Sequence, residues 1–370
     1  MKDPRVEKLA DVLVNYSIGV KPGEKVAIQG PVIAEPLLKA IYVKVLQAGG
    51  HPLMLANFSG MGSLRYRYAS DEQLRHIPEP IEVLMETYDA RISLWGSENT
   101  KELSNSDPAK MVLERRAQTD LVKRVMEREA AGEFRWVGSL FPTNAHAQDA
   151  EMSLEEYEDF VYTACLPEMD DPLGYWQRFS DWQQKIVDWF VGKERVRVLA
   201  PGTDLRLSIA GRSFVNCNGT QNMPDGEIFT GPVEDSVEGH VSFSYPTIYS
   251  EREVRGVQLT FEQGRVVKAT ADKNEDFLLQ TIDTDAGSRY VGEFAIGTNK
   301  GITRFTGNTL FDEKINGSFH IALGLGFPET GSKNESVVHW DMVCDLRNGG
   351  QIWVDDALLY ENGAFVVEFL

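Results

Sequence analysis

Two histidines in the last third of this chain, His320 and His339, have carboxylates close by in sequence. Residues 309–347, which hold both, read TLFDEKINGSFHIALGLGFPETGSKNESVVHWDMVCDLR. Within that stretch His339-Trp340-Asp341 sets an imidazole and a carboxylate two residues apart. On a strand, residues i and i+2 project from one face. Val337, Val338, Met342 and Val343 surround the pair with apolar side chains, which is the setting of a buried metal site. A lone His-x-Asp is equally an ordinary surface pair or a hydrogen-bonded core histidine. The pair alone therefore identifies nothing.

Three further acids change that balance. Glu227 follows a Pro-Asp-Gly turn in NMPDGEIFT, Glu293 lies among small and apolar residues in VGEFAIG, and Glu313 follows Leu310-Phe311-Asp312. Burying a carboxylate without a partner is costly, so an acid in an apolar run is exposed, salt-bridged or metal-bound. Taken together, Glu227, Glu293, Glu313, His320, His339 and Asp341 offer four carboxylates and two imidazoles. Two divalent ions would neutralise four carboxylates, which lets such a cluster sit in a low-dielectric pocket. Mixed oxygen and imidazole donors suit zinc, cobalt or manganese better than thiol-preferring metals. Two cations roughly 3.5–4 Å apart can hold a bridging water, lower its pKa and polarise a carbonyl. Peptide or amide hydrolysis is the chemistry such a pair performs.

Competing motifs are missing. The chain has no H-E-x-x-H helix and no G-x-S-x-G elbow. The run from Gly326 to Lys333 has Gly-Ser-Lys where a phosphate loop needs Gly-Lys-Ser/Thr, and Gly60-Met61-Gly62 is not part of a dinucleotide fingerprint. His51, His76 and His146 have no partners at ligand spacing.

Composition limits the partners. With 37 Lys plus Arg against 56 Asp plus Glu, the formal net charge of -19 repels phosphate backbones, so no nucleic acid is expected. The three cysteines, Cys165, Cys217 and Cys344, are widely spaced and form no C-x-x-C pair, which fits a reducing, cytoplasmic setting. The opening MKDPRVEKLADVL reads as a charged amphipathic helix and not as a signal peptide. No run reaches the ~18–20 apolar residues of a membrane span, so no membrane partner is expected.

The elements that must position the acids and histidines come in two textures. Val6, Leu9, Ala10 and Leu13 mark a first helix; a strand at Lys25–Gln29, a helix carrying Leu38, Ile41, Tyr42 and Val45, and a strand at 51–56 form a βαβ unit. A strand at 90–95, a helix capped by Asp107 and running past Val125, a strand at 134–140 and a capping box at Ser153 continue the pattern. An aromatic stripe, Phe179, Trp182, Ile186 and Trp189, reads as core or subunit contact. After Lys193 short β-type segments take over: 196–199, 204–209, 241–245, 257–262 and 265–271, with a helix at 277–282. The reading is therefore an α/β domain with a mostly parallel sheet over 1–192, shaping the cavity and subunit contacts, and a β-rich α+β metal-binding domain over 193–370.

Four segments together, NMPDGEIFTGP, YVGEFAIGTN, TLFDEKINGSFHIALG and FPETGSKNESVVHWDMVCDLR, resemble the thermophilic metallo-aminopeptidase family of the aminopeptidase T and aminopeptidase S type. The resemblance covers essentially the whole length and is densest from Asn218 to Arg347. It implies a dimeric, two-domain enzyme that removes N-terminal residues from peptides with a free N-terminus, using two divalent cations. Carried across residue by residue, it implies Glu227, Glu293, Glu313, His320, His339 and Asp341 as metal ligands, with Glu293 bridging. Either Glu293 or Glu313 would be the catalytic proton carrier. One position departs: seven residues after the HIALG histidine the family commonly has a tyrosine that helps stabilise the tetrahedral intermediate, and here stands Phe327. Losing one such donor costs on the order of 10²–10³ in rate. A related two-metal hydrolase of non-peptide amides and a catalytically weakened metal-binding protein are the alternative readings.

Overall fold

The computed structural model describes residues 3–250 and 252–369. Met1 and Lys2, which begin the charged opening segment, lie outside the described residues. From there Asp3 accepts the Arg5 N–H at 2.9 Å and caps helix Pro4–Asp11, which buries Leu9 and Ala10. The chain forms two compact units, Met1–Trp176 with Gly219–Pro224, and Gln177–Asn218 with Asp225–Leu370. Texture in the sequence shifts at 190–195, whereas the compact units part inside helix Pro172–Phe190. Compactness follows contacts in space, and a helix can begin in one unit and end in another without any change in its composition.

The first unit is α/β. Its five-stranded parallel sheet runs His51–Asn57, Lys25–Pro31, Ala90–Trp95, Arg135–Leu140 and Asn222–Met223, in that spatial order. The interior strand Lys25–Pro31 carries Val26, Ala27 and Ile28, all fully buried, the continuous apolar run expected where helices cover both faces. Ser153 and Glu156 make the reciprocal capping box that opens helix Leu154–Cys165. The helix expected to run from Asp107 past Val125 is in fact two, Pro108–Ala117 and Thr119–Ala130. They break at Gln118, whose backbone (φ -87, ψ -5) leaves the helical path while its N–H still bonds back to Arg115.

The second unit is built from antiparallel sheets. An eight-stranded sheet and a five-stranded sheet share one hydrophobic core. The first supplies Val196, Val198, Leu205, Leu259 and Ile352; the second supplies Ile228, Phe294, Phe319, Ile321 and Met342. The strand expected at 241–245 lies earlier, at Glu238–Ser242, because its ladder with Asp204–Arg206 covers Glu238–His240 and its ladder with Gln258–Phe261 ends at Ser242. Within this unit, Phe179 and Ile186 of the aromatic stripe are buried, and Trp182 and Trp189 pack edge-on against Phe365 and Phe369. That stripe belongs to the chain's own core. No helix among the described residues is long and apolar enough to cross a membrane.

Candidate metal centre

The five-stranded sheet of the second unit orders its strands His339–Asp345, Ser318–Gly324, Val291–Gly297, Glu227–Thr230 and Val215–Cys217. Its two faces differ in kind. Alternation sends Phe319, Ile321 and Leu323 to the core, and turns His320, Ala322 and Gly324 to the other side. Residues directly opposite one another share a face. Ala322 stands between Glu293 and Asp341, Gly324 opposite His339, Ala295 opposite His320, and Gly297 opposite Glu227. Thus five of the six candidate residues leave a single sheet face, and the positions between them are alanine or glycine. Those small side chains leave room above the sheet for the long ones to converge.

Glu313 arrives from outside the sheet. Asn308 caps the single turn Thr309–Asp312 by accepting the Leu310 N–H, and Glu313 follows as its C-terminal cap. Glu313, His320 and Asp341 place ligand atoms within 4.8 Å of one another. So do Glu227, Glu293 and His320, and so do Glu293, His339 and Asp341. All six residues that the sequence pointed to therefore meet in one place, through triads that share members.

The distances inside the cluster are informative. His320 Nε2 lies 3.4 Å from Glu293 Oε1 and 3.6 Å from Glu227 Oε2. His339 Nε2 lies 3.5 Å from Glu293 Oε2 and 3.5 Å from Asp341 Oδ1. Glu293 therefore turns one oxygen toward each imidazole. The Leu325 carbonyl, which can only accept, sits 3.0 Å from His339 Nδ1. Nδ1 is thereby the donor of the ring, so that in the neutral form a metal requires, the Nε2 lone pair is the one facing the acids.

Several of these atoms have no hydrogen bond. Glu227 Oε2, both ring nitrogens of His320 and Asp341 Oδ1 are buried without a partner. An orphaned buried polar atom costs about 1–3 kcal/mol, and here four gather at one point. Lone pairs aimed inward at 3.4–3.6 Å separations are too far apart to bond each other and are spaced to share a cation between them. The donor set fits divalent metal.

Electrostatics agree. Burial pushes the Glu227 and Glu313 carboxyls above their usual range, and Lys314 only partly opposes it. Burial pulls the histidines down, but the surrounding carboxylates win: His320 is pushed up to about 9 and His339 up to about 10. Burial would also raise Asp341, yet the facing imidazoles, His339 foremost, hold it at about 2. The pocket favours positive charge at its centre.

Three residues of this neighbourhood are not evident in the spacing argument. Lys314 is fully buried, with its ammonium 3.7 Å from Glu227 Oε1 and in contact with Glu313 Oε1. Its signal was the acid–base pair Glu313-Lys314 set in an apolar stretch. Asp225 and Cys217 form a further triad with Glu227. Asp225 stands two residues before Glu227 and was legible in that way, whereas nothing local marked Cys217. Phe327 borders the centre, its ring edge-on to His339 at 5.3 Å and to Phe229 at 5.2 Å. His146 stacks on Tyr157 in the first unit, and none of His51, His76 or His146 joins a metal-capable group among the described residues.

Comparison with known proteins gives a consistent result. The model of the thermophilic metalloprotease family, M29, matches residues 2–365. Aminopeptidase 2 of Geobacillus stearothermophilus is 25% identical over 381 residues, covering 92% of each chain. The solved structure of wild-type AmpT from Thermus thermophilus superposes with a TM-score of 0.85 at 24% identity, over 98% of this chain and 99% of that one. A 2,5-dihydroxypyridine dioxygenase from Pseudomonas putida KT2440 has a TM-score of 0.60 at 12% identity, covering 98% of this chain and 97% of its own. Both likenesses to solved structures are ones of fold alone, and a fold shared by differently named enzymes leaves the reaction to the site.

Proposed function

From the chain's membership of the thermophilic metalloprotease (M29) family, we propose that this peptide hydrolase is an aminopeptidase whose centre holds two divalent ions. Glu227, Glu293 and His320 would hold one ion, and Glu293, His339 and Asp341 the other. Glu313, which meets His320 and Asp341, would complete the set. The observation that carries the reading is Glu293, whose two oxygens face two different imidazole nitrogens at 3.4 and 3.5 Å. A carboxylate so disposed could serve both ions. Zinc, cobalt and manganese all accept this oxygen and nitrogen set.

When bound, such ions supply Lewis acidity toward the scissile carbonyl and lower the pKa of a water held between them. The protein's own groups do the rest. With both Glu293 oxygens turned to imidazoles, the carboxylate better placed to pass a proton to the leaving amine is Glu313. The acidic pocket attracts the free α-ammonium of a peptide and offers nothing to a blocked terminus. Cytoplasmic location and a homodimer complete the reading; light scattering on the purified protein tests the second.

The test is a panel of leucyl-peptides with free and N-acetylated termini, on protein loaded with Zn²⁺ or Co²⁺. Cleavage of the free peptides alone is expected, with loss of activity in chelator. Glu227→Ala, His320→Ala and Asp341→Ala should each lose bound metal and at least ~10²-fold in kcat/KM. Glu313→Gln should keep its metal yet lose kcat. Wild-type rates in the three alanine variants would sink the reading, and cleavage of blocked amides would favour the related non-peptide hydrolase.

A further inference from the structure

We infer that Lys314 is a positioning residue acting as the resident cation of this centre, holding Glu227 and Glu313 in place whether or not divalent ions are bound. The inference rests on the ligand reading above. Lys314 has no exposure to solvent and is among the largest fully buried side chains of the molecule. A lysine is almost never fully buried unless paired. Its ammonium reaches Glu227 Oε1 at 3.7 Å and touches Glu313 Oε1.

The backbone leaves it no other course. The Lys314 N–H donates to the Phe311 carbonyl at 3.0 Å, and its own carbonyl accepts from Asn299 at 3.1 Å. The stem is thereby directed into the pocket between a strand residue and a helix-capping residue that come from distant parts of the chain. The pairing also sorts oxygens. With Glu227 Oε1 taken by the ammonium, Oε2 is the atom that faces His320 at 3.6 Å and has no hydrogen bond. Lys314 thus decides which oxygen each glutamate presents to the centre.

Charge arithmetic gives this arrangement a consequence. Glu227, Glu293, Glu313 and Asp341 together carry four negative charges in one buried pocket. In the metal-free protein Lys314 is a permanent counter-charge beside the two imidazoles, while in the loaded protein the ions supply four positive charges of their own. Like charges confined together in a low dielectric repel strongly. Removing the ammonium should therefore damage the metal-free state more than the loaded state. A lysine that merely filled space with its stem would affect both states equally.

Thermal melting of the full chain in EDTA and in saturating Co²⁺ tests this. The readout is the rise in Tm that cobalt produces. Lys314→Met should melt lower in EDTA and recover more with cobalt, so that its rise exceeds the wild-type rise by about 5 °C or more. Lys314→Arg, which keeps the charge, should show the wild-type rise. An equal rise in Lys314→Met and wild type would reduce the lysine to packing and overturn the inference. A smaller rise would also overturn it, by showing that the ammonium assists the ions and does not stand in for them. Folding only with cobalt is the expected result at its limit. Should Lys314→Met not fold even then, Lys314→Gln, which keeps a donor without the charge, is read by the same rule. Glu227→Gln separates the two levels: a wild-type cobalt response there would remove the metal-site reading itself.

Discussion

Single side chains here are distinguished by what they lack. Buried polar atoms in proteins normally find hydrogen-bond partners, yet Glu227 Oε2, Asp341 Oδ1 and the His320 ring nitrogens have none. These four atoms fall on three of the residues that the family resemblance implies as metal ligands. Phe327 presents the opposite situation: an apolar ring against His339 where the family resemblance implies a hydroxyl. Because its ring already borders the centre, Phe327→Tyr should bring a donor to the reacting carbonyl with little repacking. We expect kcat on a leucyl anilide to rise by roughly 10-fold or more, KM staying nearly constant, since an oxyanion donor acts in the transition state. An unchanged kcat would mean that another group already fills the role.

Elements place these side chains by devices that a residue-by-residue reading does not contain. Val291 and Glu293 are two apart, and a regular strand would put both on one face. The pairing slips between them, with Val291 opposite Leu323 and Glu293 opposite Ala322. Gly292 is the extra residue of a β-bulge. The bulge sends Val291 into the core and frees Glu293 for the centre. Glycine is required there, as a Cβ would come within 2.2 Å of the Leu325 carbonyl oxygen. A second device secures the approach to His339. Asp285 accepts from the N–H groups of Gly287, Ser288 and Val337, each at 2.9 Å, and from the hydroxyls of Ser288 and Ser336. Burial raises its pKa, but these donors outweigh it and hold the carboxyl below its ordinary value. A depressed folded-state pKa contributes stability above the unfolded value, near 3.9, and loses it as pH falls through the folded value. Asp285→Asn should cost about 1–3 kcal/mol at pH 7 by denaturant melts. The difference from wild type should shrink as pH falls from the unfolded value through the depressed folded one; a gap that stays constant over that fall would mean the carboxylate charge is not what the loop uses.

At the scale of the whole molecule, the candidate ligands all belong to the second compact unit. Metal binding should therefore stabilise that unit selectively, by about 2.7 kcal/mol at a free metal concentration 100 times Kd. Hydrogen exchange should read this directly. Chelation is expected to raise exchange in 227–230, 291–297, 318–324 and 339–345, and to leave the parallel strands at 25–31 and 90–95 unchanged. A uniform increase would disconnect the centre from the sheet that carries it. Much of this was determined by the sequence alone. The strand period of two is local, so His339 and Asp341 could be put on one face, and the apolar runs around Glu227, Glu293 and Glu313 marked those acids as exposed, salt-bridged or metal-bound. The Ser153 capping box and the βαβ order of the first half were legible for the same reason, being set by neighbours in the chain. Only the tertiary structure decided the rest: the register that lines up Glu293, Ala322 and Asp341 across three strands, the slip at Gly292, the split helix at Gln118, and the burial of Lys314 between two glutamates. These depend on hydrogen bonds and charges that join segments far apart in the chain, and no local pattern carries information about a partner that distant.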